Sequence, residues 1–146
     1  IARKHKGVDH TNSEGAGAAG GVGFSAMSFL DAKFQSGFKL IQKRIDLKNK
    51  IQQNNYDLII TGEGSIDKQT SNGKLIMHLG KIGKKYSIPV IAFCGIVKEK
   101  LQDLNLPGIT QLKQISPDGF DLSIAIQKAP IYLDKALRDE VQRYLN

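Results

Sequence analysis

The sequence predicts an α/β fold, with an incomplete parallel sheet in the order βαβαβα preceded by a glycine-rich helical segment. Three apolar stretches of strand length, residues 58–61, 89–95 and 110–115, alternate with stretches of helical spacing. Short strands that are apolar on consecutive positions are typical of parallel strands covered on both faces. Three strands leave both edges of a sheet unpaired, so we expect other segments to complete it.

Residues 1–55 form the first of two predicted parts. A glycine-rich run, residues 15–23, opens a helix whose apolar face carries Phe24, Met27 and Leu30, with Phe34 four residues further on. Two short helices are predicted next, over 36–44 and 47–53, before a pair of asparagines ends the pattern. The change to alternating strands and helices after this pair sets the domain boundary at residue 55.

Residues 56–146 are predicted to hold the sheet. The first strand runs into a polar loop that begins at Gly62, and the connecting helices are predicted over 73–86 and 98–105. One or two helices close the chain over 121–144, with a break at Pro130 as the alternative, because proline disfavours a continuing helix. Charges of alternating sign on the last helix predict a solvated surface, formed by Asp134, Lys135, Arg138, Asp139 and Glu140.

The composition is that of a globular domain with a preference for anionic partners. The chain has 146 residues, of which 40% are hydrophobic and 24% are charged, and its formal net charge is +7. A positive charge favours phosphate esters, carboxylates or nucleic acid as partners. Because long basic runs and aromatics interleaved with Arg or Lys are both lacking, we predict no nucleic-acid partner.

Cysteine usage and the ends of the chain indicate a compartment. Cys94 is the single cysteine, which fits a reducing compartment, and its apolar neighbours predict a small buried side chain rather than a nucleophile. No signal segment opens the chain and no apolar stretch approaches the ~20 residues that span a bilayer, so we predict a cytoplasmic protein without membrane contact. The chain starts at Ile1 rather than Met, which suggests a processed, truncated or partial polypeptide.

The strongest candidate site is the segment 57–70, where an apolar strand leads into two glycines and a cluster of polar groups. Gly62 and Gly64 allow a ligand to approach the backbone closely, and Glu63 and Asp67 supply two carboxylates for a metal ion or for proton transfer. Open parallel sheets bind ligands at such strand ends. A tight turn in which Asp67 and Thr70 only cap the next helix fits the spacing equally well.

Two further features could bind an anion. Gly73 and Lys74 stand at the predicted start of a helix, where amide groups and an ammonium favour phosphate. The alternative is that Lys74 is an ordinary surface lysine, as most lysines are. The spacing is not that of a P-loop, and Leu75 stands where Ser or Thr would bind magnesium. The run 15–23 contains a formal dinucleotide-binding match, but a polar segment precedes it instead of a strand. Its amides either hold an anion or its small residues allow close helix packing.

Other classes of site lack their signatures. His5, His10 and His78 have no metal-ligand spacing among themselves or with Cys94, and no nucleophile elbow of the hydrolases is present.

The order and spacing of the two glycine-containing motifs resemble the bacterial glycerate kinase family. The resemblance rests on residues 15–23, Ser36-Gly37, the segment 57–70 and Gly73-Lys74, and it continues through Lys84-Lys85-Tyr86, Pro89-Val90-Ile91 and Gly95. It covers nearly the whole chain. The family usually carries Arg in the Gly-Glu-Gly loop where this chain has Ser65, and Lys68 is the nearest following cation.

The resemblance implies transfer of the γ-phosphoryl group of ATP to D-glycerate, with Mg²⁺, to give 2- or 3-phosphoglycerate. It also implies two α/β domains, one of which is inserted into a Rossmann-like domain with a three-layer arrangement. Residues 1–55 would then be the end of the inserted domain, and 56–146 the C-terminal part of the Rossmann-like domain. The strands that complete the sheet would come from the N-terminal remainder of the same enzyme.

The resemblance also implies roles for particular residues. Glu63 and Asp67 would act as metal ligands or as the base that accepts the glycerate hydroxyl proton. Lys74 would hold phosphate or the substrate carboxylate. Substrate contacts would come from Gly62, Gly64, Gln69 and Thr70, and from the amides of Gly17, Gly20 and Gly21.

Two alternatives remain at this stage. One is a non-catalytic Rossmann-like module that binds an anionic metabolite without turnover. The other is an incomplete enzyme that keeps the site residues and is inactive alone, which is what we expect of a chain of 146 residues. A homo-oligomer is left open.

Overall fold

The computed structural model describes residues 9–67, 75–98 and 104–145. The chain divides into two compact units, residues 1–48 and 49–146. The observed division therefore falls a few residues before the predicted boundary at residue 55. The assignment of the first part to an inserted domain stays a prediction.

The first unit is helical in its described part. A turn of 3-10 helix, Ala18–Gly21, precedes helix α1, Val22–Leu30, and helix α2 follows over Gly37–Arg44. The backbone enters α1 through Gly21 at φ 97° and leaves it through Asp31 at φ 53°. Because α1 ends there, Phe34 does not continue its apolar face, and that part of the prediction is wrong.

Helix α2 begins where the sequence predicts. The hydroxyl of Ser36 caps it by accepting a hydrogen bond from the backbone N–H of Lys39 at 3.5 Å. Helix α3, Leu47–Gln53, has the predicted bounds and spans the division between the units.

The second unit contains a three-stranded parallel sheet. Strands β1, Ile59–Ile66, β2, Val90–Val97, and β3, Gln111–Gln114, lie in the order β1-β2-β3. Helix α4, Leu75–Tyr86, connects β1 to β2, and helix α5, Leu122–Leu145, closes the chain. The predicted α/β class with three parallel strands is confirmed.

The core of this unit lies between α4 and the sheet. Ile66, Ile76, Met77, Ala92 and Cys94 form one buried cluster. Helix α4 must come close to the loop before β3, since a Cβ added at Gly80 would lie 2.6 Å from the carbonyl oxygen of Pro107. The predicted helix over 98–105 falls mostly outside the described residues.

Strand β1 is longer than the sequence predicts. Pairing with β2 continues through Gly62↔Phe93 and Glu63↔Cys94 to Ile66↔Val97. The expected loop from Gly62 is therefore wrong, because the hydrogen bonds of the neighbouring strand extend β1 across residues that have low strand propensity by themselves.

Helix α5 corrects two further expectations. It is one continuous helix with Pro130 inside it, so the alternative of a break there is wrong. Contacts on both sides of the proline hold it, since Ala125 is 4% exposed and Glu140 is 4% exposed. Glu140 is thus not part of a solvated surface: its carboxylate lies 2.9 Å from Lys113 Nζ and 3.6 Å from Arg143 Nη1. Among the described helices, none is long and apolar enough to cross a membrane.

Candidate active site

The two candidate carboxylates lie on one strand and just beyond its end. Glu63 is a half-buried residue within β1, paired with Cys94, and Asp67 is the half-buried residue that follows the last residue of β1. Asp67 therefore stands at the carboxyl edge of the sheet, as predicted, whereas Glu63 is held by the strand rather than by a loop. A strand fixes the backbone of a side chain more firmly than a loop does.

The glycines beside Glu63 differ in what their environment requires. A Cβ added at Gly64 would meet no heavy atom within 4 Å, and one added at Gly62 would lie 3.2 Å from the carbonyl oxygen of Phe93. Packing within the described chain therefore does not explain glycine at position 64. On the neighbouring strand β2, Gly95 does pack closely against β1: a Cβ at Gly95 would lie 2.6 Å from the Gly64 carbonyl oxygen.

A cavity of about 600 Å³ adjoins these residues. The sheet contributes Thr61, Gly62, Glu63 and Gly64 to its lining, and α5 contributes Ala129 and Leu133. Most of the surface is apolar, with Glu63 as its carboxylate. The contribution of α5 was missed by the sequence analysis, because nothing local indicates which helix face meets the sheet.

The strands are tied together at the carboxyl edge. The backbone N–H of Lys98 donates to the carbonyl oxygen of Ile66 at 2.9 Å, directly before Asp67. The N–H of Val97 donates to the side-chain oxygen of Gln114 at 2.8 Å. Sequence reasoning did not single out Gln114, and no motif would have marked it.

Cys94 is buried in β2, as predicted. Burial raises the pKa of its thiol from 9.0 to about 11, and Sγ lies 3.5 Å from the carbonyl oxygen of Lys113. At neutral pH the group is a protonated thiol, which is a poor nucleophile.

The glycine-rich run, in the first unit, has one glycine that close packing requires and three positions that no described atom approaches. Gly23 packs closely, because a Cβ there would lie 2.0 Å from the carbonyl oxygen of Gly15. Positions Gly17, Gly20 and Gly21 would each accept a Cβ with no heavy atom within 4 Å. Gly20 and Gly21 have positive φ, which favours glycine, whereas Gly17 has φ −77° and ψ −5°. Neither conformation nor described packing requires glycine at position 17.

Comparison with known proteins decides the family. The model of the glycerate kinase family matches residues 1–145. The chain belongs to the glycerate kinase family. The resemblance found in the sequence motifs is therefore confirmed.

Individual family members align over most of this chain. The glycerate kinase of Bacillus subtilis (strain 168) is 35% identical over 139 residues, covering 95% of this chain and 36% of that protein. The glycerate 2-kinase of Escherichia coli (strain K12) is 36% identical over 109 residues, covering 75% of this chain and 28% of that protein.

A solved family structure shares the fold. The crystal structure of a protein assigned as glycerate kinase 2 from Salmonella typhimurium LT2 matches with a TM-score of 0.58 and 26% identity, covering 97% of this chain and 37% of that one. The chain thus spans about a third of the length of these glycerate kinase relatives.

Part of the candidate kinase site lies outside the described residues. The residues concerned are Gln69, Thr70, Gly73 and Lys74. The alternative in which Thr70 only caps the next helix lies outside the described residues for the same reason. In the part of the chain that the structure describes, no group of three or more His, Cys, Asp or Glu side chains could hold a metal ion. Glu63 and Asp67 thus remain as two carboxylates from one strand and its end.

Proposed function

We propose that the polypeptide containing this chain phosphorylates D-glycerate with ATP, and that this chain is its C-terminal part. The observation that carries the proposal is the placement of Glu63 and Asp67 on β1 and at its carboxyl end, around a glycine whose backbone is open. Family membership supplies the reaction class. Because the chain spans about a third of its relatives, we expect it to be inactive alone.

The donor set fits Mg²⁺. This ion prefers oxygen ligands and is usually bound through one or two carboxylates together with substrate phosphates, rather than by an all-protein cage. Glu63 and Asp67 supply two candidate carboxylates, and either one together with substrate phosphates would meet that requirement. When bound, Mg²⁺ would neutralise charge on the transferring phosphoryl group.

The protein residues would position the reactants. Phosphoryl transfer depends mainly on alignment and on charge neutralisation. Asp67 or Glu63 would accept the proton of the glycerate hydroxyl, and Lys74 would hold phosphate or the substrate carboxylate. Gln69 and Thr70 would donate or accept hydrogen bonds with substrate. The open backbone at Gly64 would let substrate approach β1 beside Glu63, and Gly62 would contribute its backbone to the same contact.

The run containing Gly17, Gly20 and Gly21 would contact an anionic group through its amides. Support comes from Gly17, where neither φ nor described packing requires glycine. A backbone left uncovered in this way is suited to close approach by a ligand.

The test uses the complete natural polypeptide that contains this sequence. ADP formation from ATP is measured with D-glycerate, with and without Mg²⁺, and the product is identified as 2- or 3-phosphoglycerate. We expect glycerate-dependent turnover, and for Asp67→Asn a loss of about 100-fold or more in kcat. Asp139→Asn, on the exposed side of α5, is the matched control and should keep wild-type activity.

Three results would contradict the proposal in different ways. Binding of glycerate or phosphoglycerate without turnover would establish the non-catalytic module instead. A kcat of Asp67→Asn within severalfold of the wild-type value would show that Asp67 is not a catalytic residue. A Gly17→Ala enzyme that is folded and fully active would show that the amides of the glycine run are not needed for the reaction.

A further inference from the structure

Both the oxygen and the nitrogen of the Gln114 side-chain amide make hydrogen bonds at the carboxyl edge of the sheet. Its oxygen accepts from the backbone N–H of Val97 at 2.8 Å. Its nitrogen donates to the carbonyl oxygen of Ser116 at 3.0 Å and to Asp118 Oδ1 at 2.9 Å. A primary amide has one acceptor and two N–H donors, so every polar group of this half-buried side chain has a partner.

The contact with Val97 extends the sheet where β3 stops. Backbone pairing between β2 and β3 reaches the N–H of Ile115, which donates to Cys94 O at 2.8 Å, and weakens to 3.4 Å at the N–H of Ser116. Pro117 follows, and it has no N–H to donate. Strand β2 continues to Val97, and the Gln114 oxygen takes the place of a main-chain acceptor there.

The end of β2 is in turn bonded to the end of β1. The next residue after Val97 is Lys98, whose N–H donates to the carbonyl oxygen of Ile66 at 2.9 Å. Asp67 follows Ile66 directly. A continuous set of hydrogen bonds therefore runs from Gln114 through the end of β2 to the residue that precedes Asp67.

We propose that Gln114 is a positioning residue for phosphoryl transfer, which fixes the end of β2 and thereby the backbone that places Asp67. The inference rests on the function proposed above. Gln114 is absent from the buried cluster beneath α4, so its loss should affect the carboxyl edge more than the core. Small displacements at a reacting centre reduce the rate strongly even when binding is kept.

The experiment measures kcat and KM of the complete polypeptide with four variants. Gln114→Ala should lower kcat by about tenfold and leave the KM values for ATP and glycerate within about twofold. Gln111→Ala, at the other end of β3, is the matched control and should change neither constant.

A second substitution, at Asp118, should restore the activity that a charged residue at position 114 removes. In Gln114→Glu the carboxylate can still accept from Val97, but it cannot donate to Ser116 and it faces the carboxylate of Asp118. This variant should lose kcat as Gln114→Ala does. Adding Asp118→Asn replaces the like charge with an amide donor and should restore most of the lost kcat.

Amide hydrogen exchange gives a readout that does not need activity. In Gln114→Ala, peptides covering 62–67 and 95–98 should exchange faster, while peptides from the core helix α4 keep wild-type rates. Unchanged kcat in an active enzyme, or an equal rise of exchange everywhere, would overturn the inference. A wild-type enzyme without glycerate turnover would refute the proposed function. Unchanged exchange at 62–67 would then also refute the effect of Gln114 on Asp67.

Discussion

Replacing Gly95 by alanine should force β1 and β2 apart beside the candidate carboxylates. The added Cβ would lie 2.6 Å from the carbonyl oxygen of Gly64 and 3.6 Å from its carbonyl carbon. Both atoms belong to the backbone of a paired strand, so they cannot rotate away as a flexible side chain could. Either the strands separate locally or β1 shifts along its length.

The reciprocal substitution, Gly64→Ala, has no such conflict, because its Cβ would meet no heavy atom within 4 Å. Overpacking of this kind costs about 1–3 kcal/mol. Alanine in place of glycine also lowers the entropy of the unfolded chain, which stabilises by about 0.4–1 kcal/mol where the conformation is compatible. We therefore expect Gly95→Ala to be destabilised by about 1–2 kcal/mol, and Gly64→Ala to be neutral or slightly stabilised.

Urea denaturation of both variants and the wild type measures this difference. With a slope of about 1–3 kcal/mol per M, the unfolding midpoint of Gly95→Ala should fall by about 1 M. The activity of Gly64→Ala should fall although its stability is kept, because its methyl group covers the backbone that substrate is proposed to approach. Equal midpoints for the two variants would refute the reasoning from close approach.

Three further predictions concern buried polar groups of the second unit. Glu140→Ala removes the carboxylate that pairs with Lys113 and should cost about 2 kcal/mol in the free energy of unfolding, whereas Asp134→Ala, at an exposed pair, should leave the urea midpoint unchanged. Equal midpoints for these two variants would contradict the assignment of Glu140 as a buried partner. Because burial raises the pKa of the Cys94 thiol from 9.0 to about 11, its alkylation at pH 8 should be about 100-fold slower in the folded than in the unfolded protein. The raised pKa also predicts stability that is kept below pH 9 and lost as the pH rises from 9.0 towards 11, and rapid alkylation of the native protein would contradict both effects.

Local patterns were sufficient to predict several of the described helices and the centres of the strands. Helix α3 has the predicted bounds, and α2 starts at the predicted cap, because helical hydrogen bonds and caps connect residues close in sequence. The family likewise followed from the spacing of two glycine-containing motifs, which the family model matches over residues 1–145. Asp67 at the carboxyl edge of the sheet was also predicted, since an apolar strand leads directly to it.

The tertiary structure alone decided the features that depend on partners far away in sequence. Strand β1 extends through Glu63 because β2 supplies its hydrogen bonds, and Glu140 is buried because β3 places Lys113 beside it. Glycine is required at position 95 because a Cβ there would clash with a carbonyl oxygen on the neighbouring strand, whereas no described atom requires glycine at position 64. A single sequence shows which residues carry chemistry. The tertiary structure decided that Glu63 lies within a strand and that the Gln114 amide bonds the end of β2. Both depend on contacts between segments that are distant along the chain, and such contacts produce no local sequence pattern.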